Sequence, residues 1–452
     1  MSKKTMFSCS KCGAQFPRWT GRCTECGAWS TVSEDTPGDE TEARPARGRK
    51  DVKAKDVQSF ASLDGELSTS RIPCRFEPLD RVLGGGLVPG SVTLIGGEPG
   101  IGKSTLLAQM AIARADDNTK ILYVTGEESP SQVALRLRRI AKEIPKHLSF
   151  LDATDADVIA ATIRLEKPDL TIVDSVQTLT TAEIPGGAGS ISQTKACAGI
   201  ITEAAKEMHL PVILVGQVNK DGDIAGPRLL EHLVDTVLML EGDPEHRFRM
   251  LRALKHRFGP TDDVSVLTMS EAGLSLVDDP SAELLRERPR NAPGSIISCL
   301  MEGHRPILIE LQALVTPAGY ATPVRRTAGV DTGRLGLLLA VLARRAGIRV
   351  LDKDVYANAA GGLKAKEPAL DLALCLAIAS GLSDKPISPT TAAFGEVGLG
   401  GEIRPVPFID LRIRECARHG FKTILIPKSS KVKGVNGVEL VEVETLKEAV
   451  GL

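Results

Sequence analysis

The stretch "GGEPGIGKST", residues 96–105, constrains the fold of this chain more than any other feature. It matches the pattern GxxxxGK[ST] and directly follows the apolar run Val92–Ile95. A strand, a glycine-rich loop and a helix in this order bring backbone amides around phosphate oxygens. The sequence therefore predicts a nucleotide-binding loop. Its predicted contacts to the nucleotide are Gly97, Glu98, Pro99, Gly100, Ile101, Gly102, Lys103, Ser104 and Thr105.

Three side chains in and near this loop fit the chemistry of a magnesium nucleotide. Lys103 is placed to reach the terminal phosphates, and the Ser104 hydroxyl is placed to bind Mg²⁺. The apolar run "LTIVD" ends at Asp174, which predicts a second Mg²⁺ ligand at the carboxyl end of a neighbouring strand. ATP and Mg²⁺ are therefore the predicted cofactors of this site.

A nucleotide hydrolase also needs a group that positions the attacking water. In the stretch "LYVTGEES", an apolar run is followed by Glu127 and Glu128, and either carboxylate can polarise that water. The same pair can instead be the acidic start of a helix, since Ser129 and Pro130 follow, and the two interpretations are compatible. Gln217 ends the run "ILVGQ" and is a candidate sensor of the γ-phosphate.

Short apolar runs alternate with helix-length segments from about residue 61 to residue 275. This alternation predicts an α/β fold built on a mostly parallel sheet with crossover helices. Three later runs without long helices between them predict an antiparallel extension of the sheet. These runs are Val234–Leu240, Phe248–Leu254 and Val264–Leu267. Only 3% of the residues are aromatic, so the core is predicted to be aliphatic.

Shifts in composition divide the 452 residues into five segments. The predicted segments are a four-Cys zinc finger over 1–32, a flexible linker over 33–60, a nucleotide-binding domain over 61–277, a linker over 278–292 and an α+β domain over 293–452. The first linker carries six Lys or Arg between Arg44 and Lys55. This basic run is predicted to be a solvated tether, with a weak nucleic-acid contact as the alternative.

Two CxxC pairs predict a metal site near the N-terminus. The predicted ligands are Cys9, Cys12, Cys23 and Cys26. Four thiolates suit tetrahedral Zn²⁺, and a redox dithiol is the alternative. A segment this small cannot bury a core, so metal binding is expected to drive its folding. Trp19 and Trp29 are predicted to pack on the metal knuckles rather than to stack on bases.

The overall charge of the chain, −1, draws it neither to nucleic acid nor to a membrane surface. The start "MSKKTMFSCSKCG" lacks the apolar core of a signal peptide. The later apolar runs are too short or too interrupted by charge to span a bilayer. Nine cysteines, an odd number without a secretory signal, argue against a disulfide framework. The expectation is a cytoplasmic protein without a membrane partner.

The order of these motifs resembles that of RecA-like ATPases, and the stretch "LKHRFGP", residues 254–260, makes the resemblance more specific. The full layout is similar to that of the RadA (Sms) family of bacterial DNA repair and recombination proteins. That family combines a four-Cys zinc finger, a RecA-like ATPase, a KNRFG motif and a Lon-protease-like C-terminal domain. The resemblance covers nearly the whole chain and implies a RecA-like P-loop core followed by a Lon-peptidase-like α+β domain.

The resemblance also implies roles for the "KHRFG" motif, in which His256 replaces the family's Asn. In RecA-type rings a neighbouring subunit places cations near the γ-phosphate, and the resemblance carries this role to Lys255 and Arg257. Two segments, 183–195 and 219–232, resemble the DNA-binding loops of RecA. Their predicted contacts to DNA are Lys195, Lys220 and Arg228.

The C-terminal stretch 394–427 resembles the end of the Lon peptidase domain. Lon-type peptidases use a Ser nucleophile and a Lys base, but Ala369 and Asp410 stand at the corresponding places. Asp371, within the run "EPALDLALC", is predicted to be structural, near a helix N-terminus or paired with a cation of a neighbouring subunit. The domain is predicted to hold a ring together without peptidase activity and to touch duplex DNA. Its candidate DNA contacts are Arg325, Arg326, Arg344, Arg345, Lys364 and Lys366.

The leading hypothesis is a DNA-dependent ATPase, a hexameric ring motor or helicase that binds single-stranded DNA in its channel. The resemblance implies branch migration and processing of branched recombination intermediates together with the recombinase RecA. Two other functions stay open: an ATP-gated Lon-type peptidase and a KaiC-like signalling ATPase that binds protein. Casein degradation would indicate the peptidase, and ATP turnover that ignores single-stranded DNA would indicate the signalling ATPase.

Overall fold

The computed structural model describes residues 7–9, 11, 14–29, 31–34, 71–115, 119–217, 230–242, 248–319, 322–362, 365–432 and 434–451. The chain divides into two compact units, Met1–Ser68 and Thr69–Leu452. Within the described ranges, no helix combines the length and the apolar character needed to cross a membrane.

The N-terminal unit is built on a small antiparallel sheet. Its strands are β1 (Phe7–Cys9), β2 (Gln15–Phe16) and β3 (Val32–Glu34), in the order β2-β1-β3. Its core consists of Cys9, Cys23 and Val32, with Phe7 and Phe16 packed against them. A core of this size provides little hydrophobic stabilisation, so the unit needs a crosslink such as a bound metal ion.

The larger unit begins with a nine-stranded sheet. Its strands are β4 (Val92–Gly97), β5 (Ile121–Thr125), β6 (Leu148–Asp152), β7 (Leu170–Asp174), β8 (Val212–Gln217), β9 (Thr236–Gly242), β10 (Phe248–His256), β11 (Val264–Ser270) and β12 (Gly273–Leu276). Their order is β12-β11-β10-β9-β4-β8-β7-β5-β6. Strands β4 to β9 pair in parallel and β9 to β12 pair antiparallel, which confirms the predicted α/β fold.

The three apolar runs pair antiparallel with one another, as predicted, but the first of them joins the rest of the sheet in parallel. Strand β9 pairs in parallel with β4, with Thr236 opposite Thr93 and Leu240 opposite Gly97. The connection from β8 to β9 spans residues 218–235, which is long enough for the crossover that parallel pairing requires. Apolar spacing alone does not distinguish such a crossover from a hairpin. Strand β9 therefore lies beside the strand that precedes the phosphate loop.

Helices cover both faces of this sheet. They are α1 (Glu77–Val82), α2 (Lys103–Arg114), α3 (Pro130–Ile140), α4 (Ala156–Glu166) and α5 (Ile191–Met208), with a 3₁₀ turn at Val176–Thr178. On one face, Leu106 and Met110 of α2 and Val133 of α3 are buried. On the other face, Ile159 of α4 and Ile201 of α5 are buried. Each such aliphatic side chain stabilises the fold by about 1.5–3 kcal/mol.

A seven-stranded sheet follows in the same unit. Its strands are β13 (Ser295–Glu302), β14 (Arg305–Pro317), β15 (Arg325–Ala328), β16 (Lys353–Ala359), β17 (Thr391–Ala393), β20 (Thr423–Pro427) and β21 (Glu439–Val443), and β18 (Glu396–Val397) and β19 (Ile403–Arg404) form a separate ribbon. The strand order is β15-β16-β14-β13-β17-β20-β21. This mixed sheet with its helices is the predicted C-terminal α+β fold.

The helices of this part are α6 (Pro280–Leu285), α7 (Thr332–Val341), α8 (Asp371–Ser383), α9 (Ile409–Arg418) and α10 (Leu446–Gly451), with a π-helical segment at Leu342–Ala346 and 3₁₀ turns at Ala360–Gly362 and Pro368–Leu370. One apolar core joins the two sheets, since Phe248 and Val266 pack within the cluster that contains Ile309 and Leu338. Helix α6 lies within the predicted linker 278–292. The relative position of the two sheets is therefore fixed by packing.

Candidate active site

The phosphate loop connects the carboxyl end of β4 to the first residue of α2. Gly100 and Gly102 adopt left-handed backbone, with φ of 77° and 115°, a region that L side chains rarely enter. A Cβ atom on Gly102 would lie 2.6 Å from the Cε atom of Met269. These two glycines let the chain turn tightly into the helix, whose first amides lack intrahelical acceptors and are available to phosphate.

Lys103 is the first residue of α2, and its side chain folds back over the loop. Its Nζ atom donates hydrogen bonds to the carbonyl oxygens of Gly97 and Glu98, each at 2.9 Å. Burial lowers the pKa of Lys103, and the negative charges of Asp174 and Glu127 oppose that shift. The ammonium therefore lies in a partly dehydrated position between the loop carbonyls and two carboxylates.

The two predicted Mg²⁺ ligands lie next to each other. The Tyr123 hydroxyl donates to Asp174 Oδ2 at 3.0 Å. Burial raises the pKa of Asp174, and the nearby Ser104 and Tyr123 hydroxyls oppose the shift. Burial and the neighbouring Asp174 carboxylate raise the pKa of Tyr123 well above its usual value. A hydroxyl beside a buried carboxylate is an oxygen donor set that fits Mg²⁺.

Glu127 is held by groups from two other strand ends. Ser175 Oγ donates a hydrogen bond to Glu127 Oε1 at 2.6 Å. Gln217 Nε2 donates to the same oxygen at 3.2 Å. Three groups at the carboxyl ends of strands thus meet here: the carboxylate of Glu127 after β5, the hydroxyl of Ser175 after β7 and the amide of Gln217 at the end of β8. Since the carboxyl ends of parallel strands share one edge, this meeting follows from the sheet order.

Glu128 has a different environment from Glu127. It forms an ion pair with Arg136 of α3. Ser129 caps α3, and Gln132 completes the capping box. The interpretation of this segment as a helix start therefore describes Glu128, while Glu127 turns toward Lys103 and Gln217.

Sequence reasoning missed three residues of this site, namely Tyr123, Arg136 and Ser175. Tyr123 is the single aromatic residue of β5, an otherwise aliphatic strand. Ser175 directly follows the predicted Mg²⁺ ligand. These two features of the sequence could have indicated Tyr123 and Ser175 as site residues. The position of Arg136 instead depends on how α3 packs over the strand ends.

The "KHRFG" motif lies at the opposite end of the sheet from the phosphate loop. His256 of β10 pairs with Thr236 of β9, which in turn pairs with Thr93 near the start of β4. The loop begins only at Gly97, four residues further along β4, which corresponds to roughly 13 Å. In this chain, the motif and the phosphate loop therefore lie at opposite ends of the parallel strands, and so at opposite edges of the sheet.

The cations of the motif differ in their contacts. Lys255 Nζ donates to the carbonyl oxygens of Glu231 and of Val234, the latter at 2.9 Å. Arg257 is half-exposed, and its Nη1 atom lies 2.9 Å from Asp235 Oδ1. Lys255 is thus anchored to the backbone before β9, whereas the guanidinium of Arg257 lies at the surface.

His256, which stands where the similar KNRFG motif has Asn, is bound on both sides. Its Nδ1 atom lies 2.9 Å from Thr236 Oγ1 and its Nε2 atom lies 3.3 Å from the Leu83 carbonyl oxygen. Because a carbonyl only accepts, the neutral ring donates from Nε2 and accepts from the Thr236 hydroxyl. Burial lowers the pKa of His256, which favours this neutral form. Arg71 donates to the carbonyl oxygens of Leu83 and Phe258, at 2.6 and 2.5 Å, and supports the same turn.

The candidate DNA contacts are only partly within the described residues. Lys195 is exposed on α5, whereas Lys220, Arg228 and Lys364 lie outside the described residues. Arg325 donates to backbone carbonyls of Val324 and Leu351, each at 2.9 Å, so it has a structural role. The remaining basic candidates of the C-terminal domain are exposed. They are Arg326, Arg344, Arg345 and Lys366.

Three of the four predicted zinc ligands lie within the described residues, and their sulfur atoms lie close together. The Sγ atoms of Cys9, Cys23 and Cys26 lie within 4.8 Å of one another, and those of Cys9 and Cys26 are 3.8 Å apart. Tetrahedral zinc with Zn–S bonds of about 2.3 Å places its sulfurs about 3.8 Å apart. Cys12 lies outside the described residues. The three described thiols therefore have the spacing of one metal centre.

The prediction that both tryptophans pack on the metal knuckles is wrong. Trp19 is 62% exposed and Trp29 is 72% exposed. The small core of this unit is filled by cysteines, Val32 and two phenylalanines. Neither indole ring belongs to this core, and both rings lie largely on the surface of the described part of the unit.

The positions that correspond to the Lon nucleophile and base carry neither of these groups. Ala369 is buried in a 3₁₀ turn, and Asp410 is exposed on α9. Instead, the fully buried Arg412 reaches toward this turn and forms an ion pair with Glu367. Arg412 also donates to the Pro407 carbonyl oxygen at 3.0 Å. The cation beside Ala369 is therefore a guanidinium, which stays protonated in proteins.

Asp371 has the structural role that was predicted, but its partner belongs to the same chain. Both of its oxygens accept hydrogen bonds from Arg334 of α7, and Oδ2 also accepts from the Val397 amide at 3.1 Å. Burial raises the pKa of Asp371, and the contact with Arg334 opposes that shift. Asp371 thus joins α7, α8 and β18.

Comparison with known families matches three parts of the chain. Residues 58–223 match the AAA domain family, residues 7–34 match the rubredoxin metal binding domain family and residues 341–430 match the family described as subunit ChlI of Mg-chelatase. The predicted fold class is confirmed. An AAA domain binds ATP with Mg²⁺, and a rubredoxin-type domain binds metal through cysteines, so the predicted cofactors ATP, Mg²⁺ and Zn²⁺ are confirmed as well.

Curated relatives cover almost the full chain. A protein of Aquifex aeolicus is 43% identical over 447 residues, which is 99% of this chain and 98% of that protein. One of Pseudomonas aeruginosa is 43% identical over 451 residues, with the same coverage. One of Bacillus subtilis is 41% identical over 454 residues, which is 99% of both chains. All three bear the name DNA repair protein RadA.

Proposed function

Because the chain belongs to the RadA family of DNA repair proteins, we propose that it is a DNA-dependent ATPase that works as a hexameric ring on branched recombination intermediates. In this proposal it binds single-stranded DNA in the ring channel and drives branch migration together with a RecA-type recombinase. The observation that carries the proposal is the convergence of Lys103, Asp174, Glu127 and Gln217 at one edge of the parallel sheet.

Each residue of this cluster has a defined task in the proposal. Lys103 leaves the loop carbonyls and binds the β- and γ-phosphates of ATP. Ser104 and Asp174 would hold Mg²⁺, which neutralises phosphate charge during hydrolysis. Glu127 orients the attacking water, because it is the carboxylate shared by Ser175 and Gln217. Gln217 then reports the presence of the γ-phosphate through its bond to Glu127.

The position of Gln217 supports coupling between ATP and DNA. Gln217 is the last residue of β8 and is followed directly by the segment with Lys220 and Arg228. At the other end of that segment, Lys255 holds the carbonyls of Glu231 and Val234. One end of the proposed DNA loop thus begins at the nucleotide site and the other is bound by the "KHRFG" motif.

A salt-titrated binding assay tests the DNA part of this proposal. We expect single-stranded DNA to increase ATP turnover and to bind with an affinity that falls steeply with salt. Replacing Lys195, Lys220 or Arg228 by Ala should each lower the slope of log affinity against log salt by about 0.7, the value for one phosphate contact on a single strand. The assay compares single-stranded, forked and duplex DNA.

Lys206 provides a matched control for Lys195. Both lysines are exposed on α5, but Lys206 lies three turns further along the helix. The change Lys206→Ala should leave the salt slope unchanged. If turnover ignores all three DNA forms, the DNA-dependent motor is wrong and a signalling ATPase becomes the better assignment.

We propose an assembly role, without peptidase activity, for the C-terminal domain. The Lys base of a Lon-type peptidase has no counterpart in the pair next to Ala369, because the Arg412 guanidinium stays protonated and the Glu367 carboxylate is bound to it. The full chain should therefore leave casein intact with and without ATP. The variant Ala369→Ser restores a hydroxyl at this position and should still be inactive. Casein degradation by the original chain would contradict this assignment.

A further inference from the structure

The zinc-binding unit carries a pair of tryptophans whose rings are largely exposed. The chain has only two Trp residues, and both lie in this unit, with Trp19 at 62% and Trp29 at 72% exposure. An indole ring is among the largest apolar surfaces a protein has, and tryptophan is enriched at binding surfaces. Two such rings left in water on so small a unit therefore indicate a binding surface.

Two adjacent residues, Gly21 and Arg22, lie between the rings in sequence, and each lies close to one of them. The Trp19 Nε1 atom donates to the Val32 carbonyl oxygen at 3.0 Å, which fixes the direction of the ring. A Cβ atom on Gly21 would lie 3.6 Å from this ring, so the backbone passes close to it. The next residue, Arg22, lies over Trp29 with its guanidinium carbon 5.7 Å from the ring centroid. Trp19, Gly21, Arg22 and Trp29 are called the tryptophan patch below.

Cations accompany both rings. Arg18 precedes Trp19 and is exposed. Arg22 is also exposed, and its Nε atom donates to the Gly27 carbonyl oxygen at 2.9 Å, which orients the guanidinium beside Trp29. Exposed aromatic faces next to Arg side chains are the combination that binds unpaired bases and their phosphates. In duplex DNA the faces of the bases are stacked on one another, so they are not accessible to an aromatic side chain.

We propose that the tryptophan patch binds single-stranded nucleic acid, with bases stacked on Trp19 and Trp29 and phosphates contacted by Arg18 and Arg22. This deepens the proposed function, on which it rests, because it gives the ring a second contact to a single strand outside the channel loops. The patch tolerates any base, since stacking requires only an aromatic face.

The intrinsic fluorescence of the protein tests this proposal directly. Because both Trp residues of the chain belong to the patch, their emission reports this surface alone. Titration of the full-length protein with oligo(dT) should quench the emission, and a duplex of the same length should quench it much less. The anisotropy of labelled oligo(dT) measures total binding in parallel and so includes the channel loops.

Two substitutions at one position separate stacking from plain apolar contact. Trp29→Phe keeps an aromatic face and should retain affinity for oligo(dT) within about twofold. Trp29→Leu keeps an apolar side chain and should lower affinity about 5-fold or more, the low end of what stacking of one base contributes. Both variants should bind the same amount of zinc as the original chain, which shows that the metal centre is intact.

The outcomes distinguish failure of this inference from failure of the proposed function. Oligo(dT) that binds by anisotropy without quenching Trp emission would overturn the inference and leave the motor intact. The absence of any oligo(dT) binding would overturn both. Quenching by a RecA-type recombinase, but not by oligo(dT), would overturn the inference and assign the patch to a protein partner.

Discussion

Replacing Lys103 by Ala is expected to lower ATP turnover by roughly 100- to 1,000-fold or more, the range for loss of one preorganised group that stabilises developing charge. Lys103 is the one cation of the loop sequence, and its ammonium lies between the loop carbonyls and the carboxylates of Asp174 and Glu127. Steady-state ATP hydrolysis, with and without single-stranded DNA, measures the effect.

The loss should come from chemistry and not from unfolding. Burial lowers the pKa of Lys103, so the fold disfavours its charge, and removing that charge offsets part of the stability lost with its two hydrogen bonds to the Gly97 and Glu98 carbonyls. A thermal unfolding curve close to that of the original chain serves as the control. Turnover above a tenth of the original rate in Lys103→Ala would contradict the assignment of the nucleotide site.

The phosphate loop and the strand ends around it are predictable because their signal is local. A glycine-rich loop after an apolar run has one common structural meaning, and polar residues at the carboxyl ends of parallel strands must share one edge. The choice between Glu127 and Glu128 is not local in this sense. It depends on Ser175 and Gln217, which are 48 and 90 residues distant in sequence from Glu127.

The parts that sequence reasoning missed depend on packing between elements. Strand β9 is formed by an apolar run like those that form β10 and β11. The long connection from β8 to β9 allows β9 to pair in parallel with β4. Arg412 looks like an ordinary helix cation in sequence, yet it is the fully buried partner of Glu367. Asp371 was recognisable as structural, but its partner Arg334 lies on another helix of the same chain.

The tryptophans show a different limit of sequence reasoning. Large aromatic side chains are usually buried, and a small metal-bound unit gives a strong reason to expect packing against its knuckles. Cys9, Cys23 and Val32 fill the core, however, and leave Trp19 and Trp29 outside it. Residue type is therefore a weak predictor of burial in a unit whose core is this small.

Arg257 is expected to complete the active site of a neighbouring subunit, and mixing two inactive variants tests this. Arg257→Ala alone should lower ATP turnover by roughly 1,000-fold or more, the range for an arginine supplied in trans. Glu127→Gln alone should also be inactive, because its carboxylate no longer orients water. A mixture of the two should regain activity, since Arg257 of one variant faces the intact Glu127 of the other.

The size of the recovery follows from the geometry of a ring. In a ring with head-to-tail interfaces, random mixing of equal amounts makes about a quarter of the interfaces complete. Recovery should therefore approach, but not exceed, about a quarter of the original rate. A mixture of Lys103→Ala with Glu127→Gln should stay inactive, because both changes damage the same side of the interface. If Arg257 instead served its own subunit, the first mixture would show no recovery, but the motif and the loop lie at opposite edges of one sheet.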